Sequence, residues 1–284
     1  MEEAKAKQKK IIDYYSTKES QWGYAFLLKG VRHFGYYPEG QENISMAEAQ
    51  RLMVEKLYAK LNLRPDSLLL DAGCGEGEVA TYLANKYQLQ VKGVDLLDFS
   101  IEKATQKRTR LGLEKQVEFS VGSYENLKFA EEMFDGSYTM ETLIHAIDYK
   151  QALRELYRVL KPRGRLVLFE YSSCPSHKVP LGLRETAETV VRESGMYGLL
   201  SFLHGEFPSI LQKAGFKNVA VENITPRVMP MLKRFRQLTF VPYWFTQAFK
   251  LQRKFVNITA GAEGYNVAKN DLWRYNIITA IKPN

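Results

Sequence analysis

The chain has 284 residues, 45% of them hydrophobic and 12% aromatic, which is enough apolar side chain for a sizeable core and too much for a disordered segment. Its 40 basic and 32 acidic residues give a formal charge of +8, a balance that suits anionic ligands or surfaces. The signs are interspersed along most of the chain, and no zinc finger, RRM signature or aromatic–basic repeat marks a reader of nucleic acid.

Residues 1–60 read as helices: a charged lead, MEEAKAKQKKIIDYY, an aromatic-rich turn at HFGYYPEG, then AEAQRLMVEKLYAKL. The lead lacks the apolar core of a signal peptide. Only two cysteines occur, Cys74 and Cys174, too few for a zinc spacing, and they suit a reducing compartment. A cytoplasmic protein is expected. From Leu68 a strand–helix alternation begins, with β-rich runs at SLLLDAG, VKGVDLL, VEFSVGS, FDGSYTM, GRLVLFEY, NVAVENI and WRYNIITAIK. That rhythm predicts a doubly wound, Rossmann-like α/β fold with a seven-stranded, mostly parallel sheet. Two long interruptions, at 172–205 and 225–271, are rich in aromatics and methionine and read as insertions covering a site. The expected organisation is one domain over residues 1–284: an N-terminal helical cap (1–60), a cofactor-binding core (61–171) and a helical lid made of the two insertions.

The stretch LLLDAGCGEG, Leu68 to Gly77, sets Gly73, Gly75 and Gly77 between the first strand and the helix VATYLANKY. Glycine there allows a sharp turn and a close approach of a ligand to the backbone. The second strand ends at Asp95, about twenty residues on, where a carboxylate can accept both hydroxyls of a ribose. An adenosine-type cofactor follows. Dinucleotides carry a pyrophosphate and are usually met by G-x-G-x-x-G; here the pattern is G-x-G-x-G with Asp71 before it. An acid at that point repels a pyrophosphate and suits a cationic amino-acid tail. S-adenosylmethionine has an ammonium, a sulfonium and no phosphate, and is the expected cofactor.

DAGCGEG, GVDLLDFSI, FDGSYTMETLIHA and ELYRVLKPRGRLVLFEY resemble the successive motifs of class I S-adenosylmethionine-dependent methyltransferases. More narrowly, they are similar to the sterol 24-C-methyltransferase family and its tocopherol-type and other small-molecule relatives. METLIHA stands where the sterol enzymes carry E-A-T-C-H-A, and YYSTKESQWGY and HFGYY match their N-terminal segment. The likeness covers roughly residues 10 to 222 and thins after 225, where acceptor identity is expected to be encoded. It implies a cofactor site made of Asp71, Gly73, Cys74, Gly75 and Gly77, of Asp95 and Leu96, of Gly122, Ser123 and Tyr124 after the third strand, and of Glu141 after the fourth. S-adenosylhomocysteine is then the product. Ser123 stands where relatives often place an acid beside the adenine amino group, and Arg163 where they carry glycine.

In a doubly wound sheet the segment after the fourth strand lies beside the donor's methyl group, which puts METLIHAID at the reaction centre. Glu141 and His145 are four apart, and on a helical turn that spacing faces them the same way. Either Glu141 stabilises developing positive charge while His145 moves or orients a proton, or the pair only caps and tethers the loop. His33 and Tyr15 complete the catalytic candidates. With Tyr14, Trp22 and Tyr36 they are expected in an N-terminal flap whose ring faces hold a sulfonium or carbocation. Tyr24, Phe26 and Leu27 read as helix packing, and His177 and His204 receive no role. Methyl transfer from a sulfonium needs alignment and exclusion of water rather than a nucleophile or a metal.

The stretch PMLKRFRQLTFVPYWFTQAFKLQRKF mixes aromatics with Lys and Arg. It reads as a greasy tunnel with a basic rim that touches anionic lipid, or as a lid helix packed on the sheet with its basic side in water. The expected reaction is C-methylation of a hydrophobic small molecule, isoprenoid or sterol-like. O- or N-methylation of a natural product and an inactive binding protein of the same fold stand as alternatives. Nucleic acid is not expected as a partner, and peripheral membrane contact through this basic–aromatic stretch stays open beside the solvated-lid reading.

Overall fold

The run LLLDA is apolar on both faces because β1 (Leu68–Ala72) lies between β2 (Gln90–Asp95) and β4 (Phe134–Met140) with helices above and below. Leu69, Leu70 and Ala72 are fully buried. The other strands are β3 (Val117–Val121), β5 (Leu160–Ser173), β6 (Lys217–Asn223) and β7 (Trp273–Ile281). The computed structural model describes residues 2–28 and 30–284, with backbone alone at residues 22 and 24–27. All seven predicted strands form and join one sheet in the order β3-β2-β1-β4-β5-β7-β6. Every pairing is parallel except those of β7, which runs antiparallel to β5 and β6. The strand order reverses between β1 and β4, and at such a switch point the carboxyl ends of the strands open a crevice.

The helices around the core are α3 (Met46–Leu61), α4 (Glu78–Tyr87), α5 (Asp98–Arg110), α6 (Tyr149–Val159) and α8 (Phe207–Lys213). Ser45 caps α3, its Oγ accepting the Glu48 N–H at 3.1 Å, and the helix buries Met53, Leu57 and Leu61. The two long interruptions are helical. The first contains α7 (Leu181–Ser194), and the second holds the pair α9 (Thr225–Ala248) and α10 (Val256–Lys269). The N-terminal helices α1 (Glu2–Ser16) and α2 (Lys18–Leu28) pack on these late helices, α1 against α7 and α2 against α10. The N-terminal helices and the helices of the two interruptions therefore pack together beside the crevice at the carboxyl ends of the strands. Among the described residues no helix is long and apolar enough to cross a membrane.

Candidate active site

The glycine loop leaves β1 with three positive φ angles: +98° at Gly73, +50° at Gly75 and +74° at Gly77. A Cβ at Gly73 would stand 2.6 Å from the Thr142 side chain, and one at Gly77 2.6 Å from the Phe119 ring. Beside Gly75 there is open space. Two of the glycines thus serve packing, and one exposes bare backbone to the cleft. The N–H groups of Gly73 and Cys74 donate to the Val94 carbonyl at 2.8 and 3.1 Å and tie the loop to β2. The Gly75 N–H donates to Asp95 Oδ2 at 2.8 Å, and Asp95 Oδ1 accepts from the Leu97 N–H at 3.0 Å.

The cleft beside this loop is lined by Asp71, Gly73, Cys74, Gly75, Asp95, Leu96, Tyr124 and Glu141 of the expected cofactor set. Gly77, Gly122 and Ser123 stand off the lining. Gly77 packs on Phe119 and Ala104, and Ser123 Oγ accepts the Glu125 N–H at 3.1 Å. All four catalytic candidates, Tyr15, His33, Glu141 and His145, reach the cleft. Burial pushes Asp71 up to about 7, raises Asp95, and lifts the Cys74 thiol well above its ordinary range, with Asp71 and Asp95 adding repulsion. Arg32, paired with Glu76 at 2.9 Å, also lines the cleft. Several desolvated acids around one open stretch of backbone make a cation site. The chemistry of S-adenosylmethionine fits it, and that of a pyrophosphate does not.

Glu141 follows the last residue of β4, and its N–H still bonds the Phe169 carbonyl of β5 at 2.8 Å. Its own φ is +60°, a left-handed conformation costly for a residue with a Cβ. The turn aims the carboxyl at the other end of the chain. Oε1 accepts the Phe34 N–H at 2.6 Å and the Tyr275 hydroxyl at 2.8 Å, and Oε2 accepts the Tyr171 hydroxyl. Antiparallel pairing of β5 with β7 sets Tyr171 opposite Tyr275. Phe34 arrives because Gly35 lies on α3, where a Cβ would stand 2.5 Å from Ala49. Burial outweighs the three donors and pushes Glu141 up to about 8.

The expectation that Glu141 and His145 share one helical turn is corrected. The left-handed Glu141 breaks the turn, and only Leu143–His145 form a short 3-10 segment. His145 belongs to a different network. Its Nδ1 lies 3.2 Å from the Gly195 carbonyl and so carries the proton, which leaves Nε2 to accept from the Tyr15 hydroxyl at 3.0 Å. His33 Nδ1 lies 2.9 Å from the Phe34 carbonyl, with the same consequence for its tautomer. Burial pushes both histidines down to about 4, so both are neutral at pH 7. Glu170, buried under this turn, accepts from Thr139 Oγ1 at 2.8 Å and from the N–H groups of Thr142 and Leu143 at 3.1 and 2.8 Å. It holds the loop that carries Glu141.

A second, larger cavity adjoins the cleft, a chamber of about 330 Å³. Arg32, His33 and Glu141 line both and form the wall between them. On the chamber side Glu141 is surrounded by rings. The Phe34 and Tyr171 centroids lie 6.2 Å apart, Phe34 and Trp273 5.9 Å, and Tyr171 and Trp273 4.9 Å. The remaining walls are mostly apolar and come from α7, α9 and α10, in the two interruptions of the strand rhythm, and from Tyr14, Gly23 and Leu28 of α1 and α2.

Of the expected flap, Tyr14 lines the chamber, its hydroxyl donating to Asn257 Oδ1 at 2.5 Å. Tyr36 lines neither cavity and packs under the Lys56 ammonium, 4.6 Å from its ring centroid. The side chains of Trp22, Tyr24, Phe26 and Leu27 lie outside the described residues. Sequence reasoning missed Arg32, Phe34, Tyr171, Glu170, Trp273 and Tyr275. A usable signal was the polar aromatic at the carboxyl end of the fifth strand, the LFEY tyrosine, since such ends face the crevice.

A family model described as a methyltransferase domain matches residues 70–168. The S-adenosyl-L-methionine-dependent Diels-Alderase iccD of Talaromyces variabilis is 34% identical over 98% of this chain and 96% of its own length. The methyltransferase GfsG of Streptomyces halstedii is 31% identical, with 78% of each chain covered. Among solved structures the [4+2]-cyclase SpnF superposes with a TM-score of 0.74 at 24% identity, over 93% of this chain and 95% of that one, a likeness of fold.

Proposed function

The chain belongs to the class I S-adenosylmethionine-dependent methyltransferases, and we propose that it transfers the methyl group to a carbon of an apolar, unsaturated acceptor. S-adenosylmethionine is the cofactor of this class, and small-molecule methylation is its reaction. Asp95 is the group for the ribose hydroxyls. Asp71 and the open backbone at Gly75 serve the cationic amino-acid end, and Leu96 and Tyr124 flank the base. The cleft measures about 100 Å³ and is bounded on one side by Ile11 and Tyr15 of α1 and by Gly30, Arg32 and His33.

The observation that carries the reading is Glu141 at the wall between cleft and chamber, ringed by Phe34, Tyr171 and Trp273. Bound in the cleft, the cofactor supplies an electrophilic methyl group on a sulfonium. On attack by an alkene's π pair the new carbon–carbon bond would form as the methyl–sulfur pair is left on sulfur, and positive charge would remain on the acceptor. Ring faces hold such a charge by about 0.5–2 kcal/mol each when desolvated. Ionised Glu141 stabilises it further and accepts the proton whose departure restores the alkene. His145, neutral and held by Tyr15 and Gly195, orients the adjoining loop. A chamber of about 330 Å³ is at the low end for ligand pockets and suits an isoprenoid or polyene chain better than a tetracyclic sterol. In this reading α7, α9 and α10 act as a lid.

The test is transfer of a labelled methyl group to a panel of prenylated quinols, polyenes, side-chain-unsaturated sterols, phenols and amines, read by mass spectrometry. Label on carbon supports the assignment; label on oxygen or nitrogen alone overturns it. Glu141→Gln should lower turnover by at least about a hundredfold and change cofactor affinity by less than about threefold. Unchanged turnover removes Glu141 from the reaction.

A second reading has one observation in its favour, the near full-length match to a Diels-Alderase. Here the chamber folds one polyene on itself, and the cofactor's positive charge stays bound without losing its methyl group. The same panel separates the two. Methyl transfer yields a product heavier by one CH₂, whereas cyclisation yields an isomer of unchanged mass, formed also when the cofactor carries no transferable methyl.

A further inference from the structure

From Ile224 to Ala262 the chain carries seven basic residues and no acidic one. This stretch forms α9, the following turn and the start of α10. The first half of α9 behaves as an amphipathic lid helix should and buries Val228, Met231 and Leu232. Its second half does the opposite. Phe240, Trp244, Phe245 and Phe249 are exposed, Trp244 to 65% and Phe249 to 67%, and Leu251 extends the patch into the turn. Around the tip stand the exposed cations Lys250, Arg253 and Lys254.

The patch sits on an anchored hairpin. The Tyr243 hydroxyl donates to Glu263 Oε1 of α10 at 2.8 Å, Thr246 is buried, and Gly261 of α10 packs on Thr239 of α9. Contiguous exposed aromatics mark an interaction surface rather than a solvated face. We propose that the tip of the α9–α10 hairpin docks this protein on an anionic lipid surface, with Trp244, Phe245 and Phe249 in the headgroup boundary and Lys250, Arg253 and Lys254 against lipid phosphates. Trp and Phe beside Lys and Arg are what an interfacial helix presents. Charge decides between a membrane and a second copy of the chain. A two-fold interface would set this basic rim against itself, and the rim offers no acid to pair with. The earlier turns of α9, through Met231, Leu232, Phe235 and Thr239, line the chamber. An apolar acceptor dissolved in the bilayer would therefore enter past a single helix. The docking surface stands whether the chamber methylates or cyclises its substrate.

The experiment is flotation of the full chain with vesicles of phosphatidylcholine, with and without phosphatidylserine. Binding is expected only to the anionic vesicles and should be lost at high salt. The combined change Lys250→Glu, Arg253→Glu and Lys254→Glu should lower the partition coefficient by at least about tenfold. Trp244→Ser with Phe249→Ser should lower it comparably. Both variants should keep the parent's affinity for S-adenosylmethionine, which verifies their fold. Absence of flotation with anionic vesicles overturns the proposal. So does a dimer in sedimentation equilibrium that Trp244→Ser and Phe249→Ser dissociate, since that assigns the patch to a second copy.

Discussion

Glu141 brings together a left-handed backbone, three hydrogen-bond donors and a carboxyl pushed up to about 8. The donors stabilise the ionised form and burial opposes it, so the group is poised where a bound cation can tip it. In the proposed reaction each donor therefore acts on the rate through the ionised fraction. Tyr275→Phe removes one of them and raises the Glu141 pKa further. A hydrogen bond to a charged group is worth about 1.5–3 kcal/mol, so turnover near neutral pH should fall by roughly tenfold to a hundredfold. The measurement is the pH profile of kcat. Its rising limb should move to higher pH in the variant while cofactor affinity holds. A uniform fall with the limb in place would mean that Tyr275 acts on the shape of the site and not on the acid.

At the scale of elements, the glycine loop separates two roles that a motif cannot. Gly73 has φ +98° and no room for a methyl group against Thr142, whereas Gly75 has φ +50° and open space. Gly73→Ala should destabilise the fold by about 2–3 kcal/mol, since strain of that kind costs roughly 1–3 kcal/mol and the clash adds to it. Gly75→Ala should cost only about 1 kcal/mol of stability and yet weaken S-adenosylmethionine by more than about tenfold, because its methyl group projects where the ligand approaches. Thermal unfolding paired with cofactor titration tests both. If Gly75→Ala binds the cofactor normally, the open backbone is not part of the site.

Over the whole molecule, buried acids make stability depend on pH in an unusual direction. Asp71 and Glu170 are pushed up to about 7 and Glu141 to about 8, from ordinary values of 3.8, 4.5 and 4.5. Between the two sets of values the folded protein holds protons that the unfolded chain has released, so stability falls as pH rises. His33 and His145, pushed down to about 4 from 6.5, act oppositely, but only below about pH 6.5. Above pH 7 the acids act alone, and the cofactor-free Tm should fall from pH 7 to pH 9. A bound cation favours the ionised carboxylate of Asp71, so the rise in Tm on adding S-adenosylmethionine should grow over the same window. A Tm shift independent of pH would remove Asp71 from the cofactor's surroundings.

The seven strands, their order in the chain and the acids at the ends of β1 and β2 were legible in the residues alone. A parallel strand buried on both faces needs an unbroken apolar run, and a loop with φ above zero needs glycine, so both leave local marks. Asp71 was readable for the same reason, as an acid in a place where a phosphate site has none. The setting of Glu141 left no such mark. Its donors Tyr171 and Tyr275 lie 30 and 134 residues away in sequence and meet it only through the register of β5 against β7. The four-residue spacing to His145 suggested a partnership that one left-handed residue dissolved. In α9 Phe235 and Tyr243 are half-buried while Phe240, Trp244, Phe245 and Phe249 are exposed, and periodicity could not say which of them face water. Local chemistry writes strands, turns and isolated charges into a sequence, but a carboxylate's pKa and a ring's exposure depend on what the folded chain brings beside them.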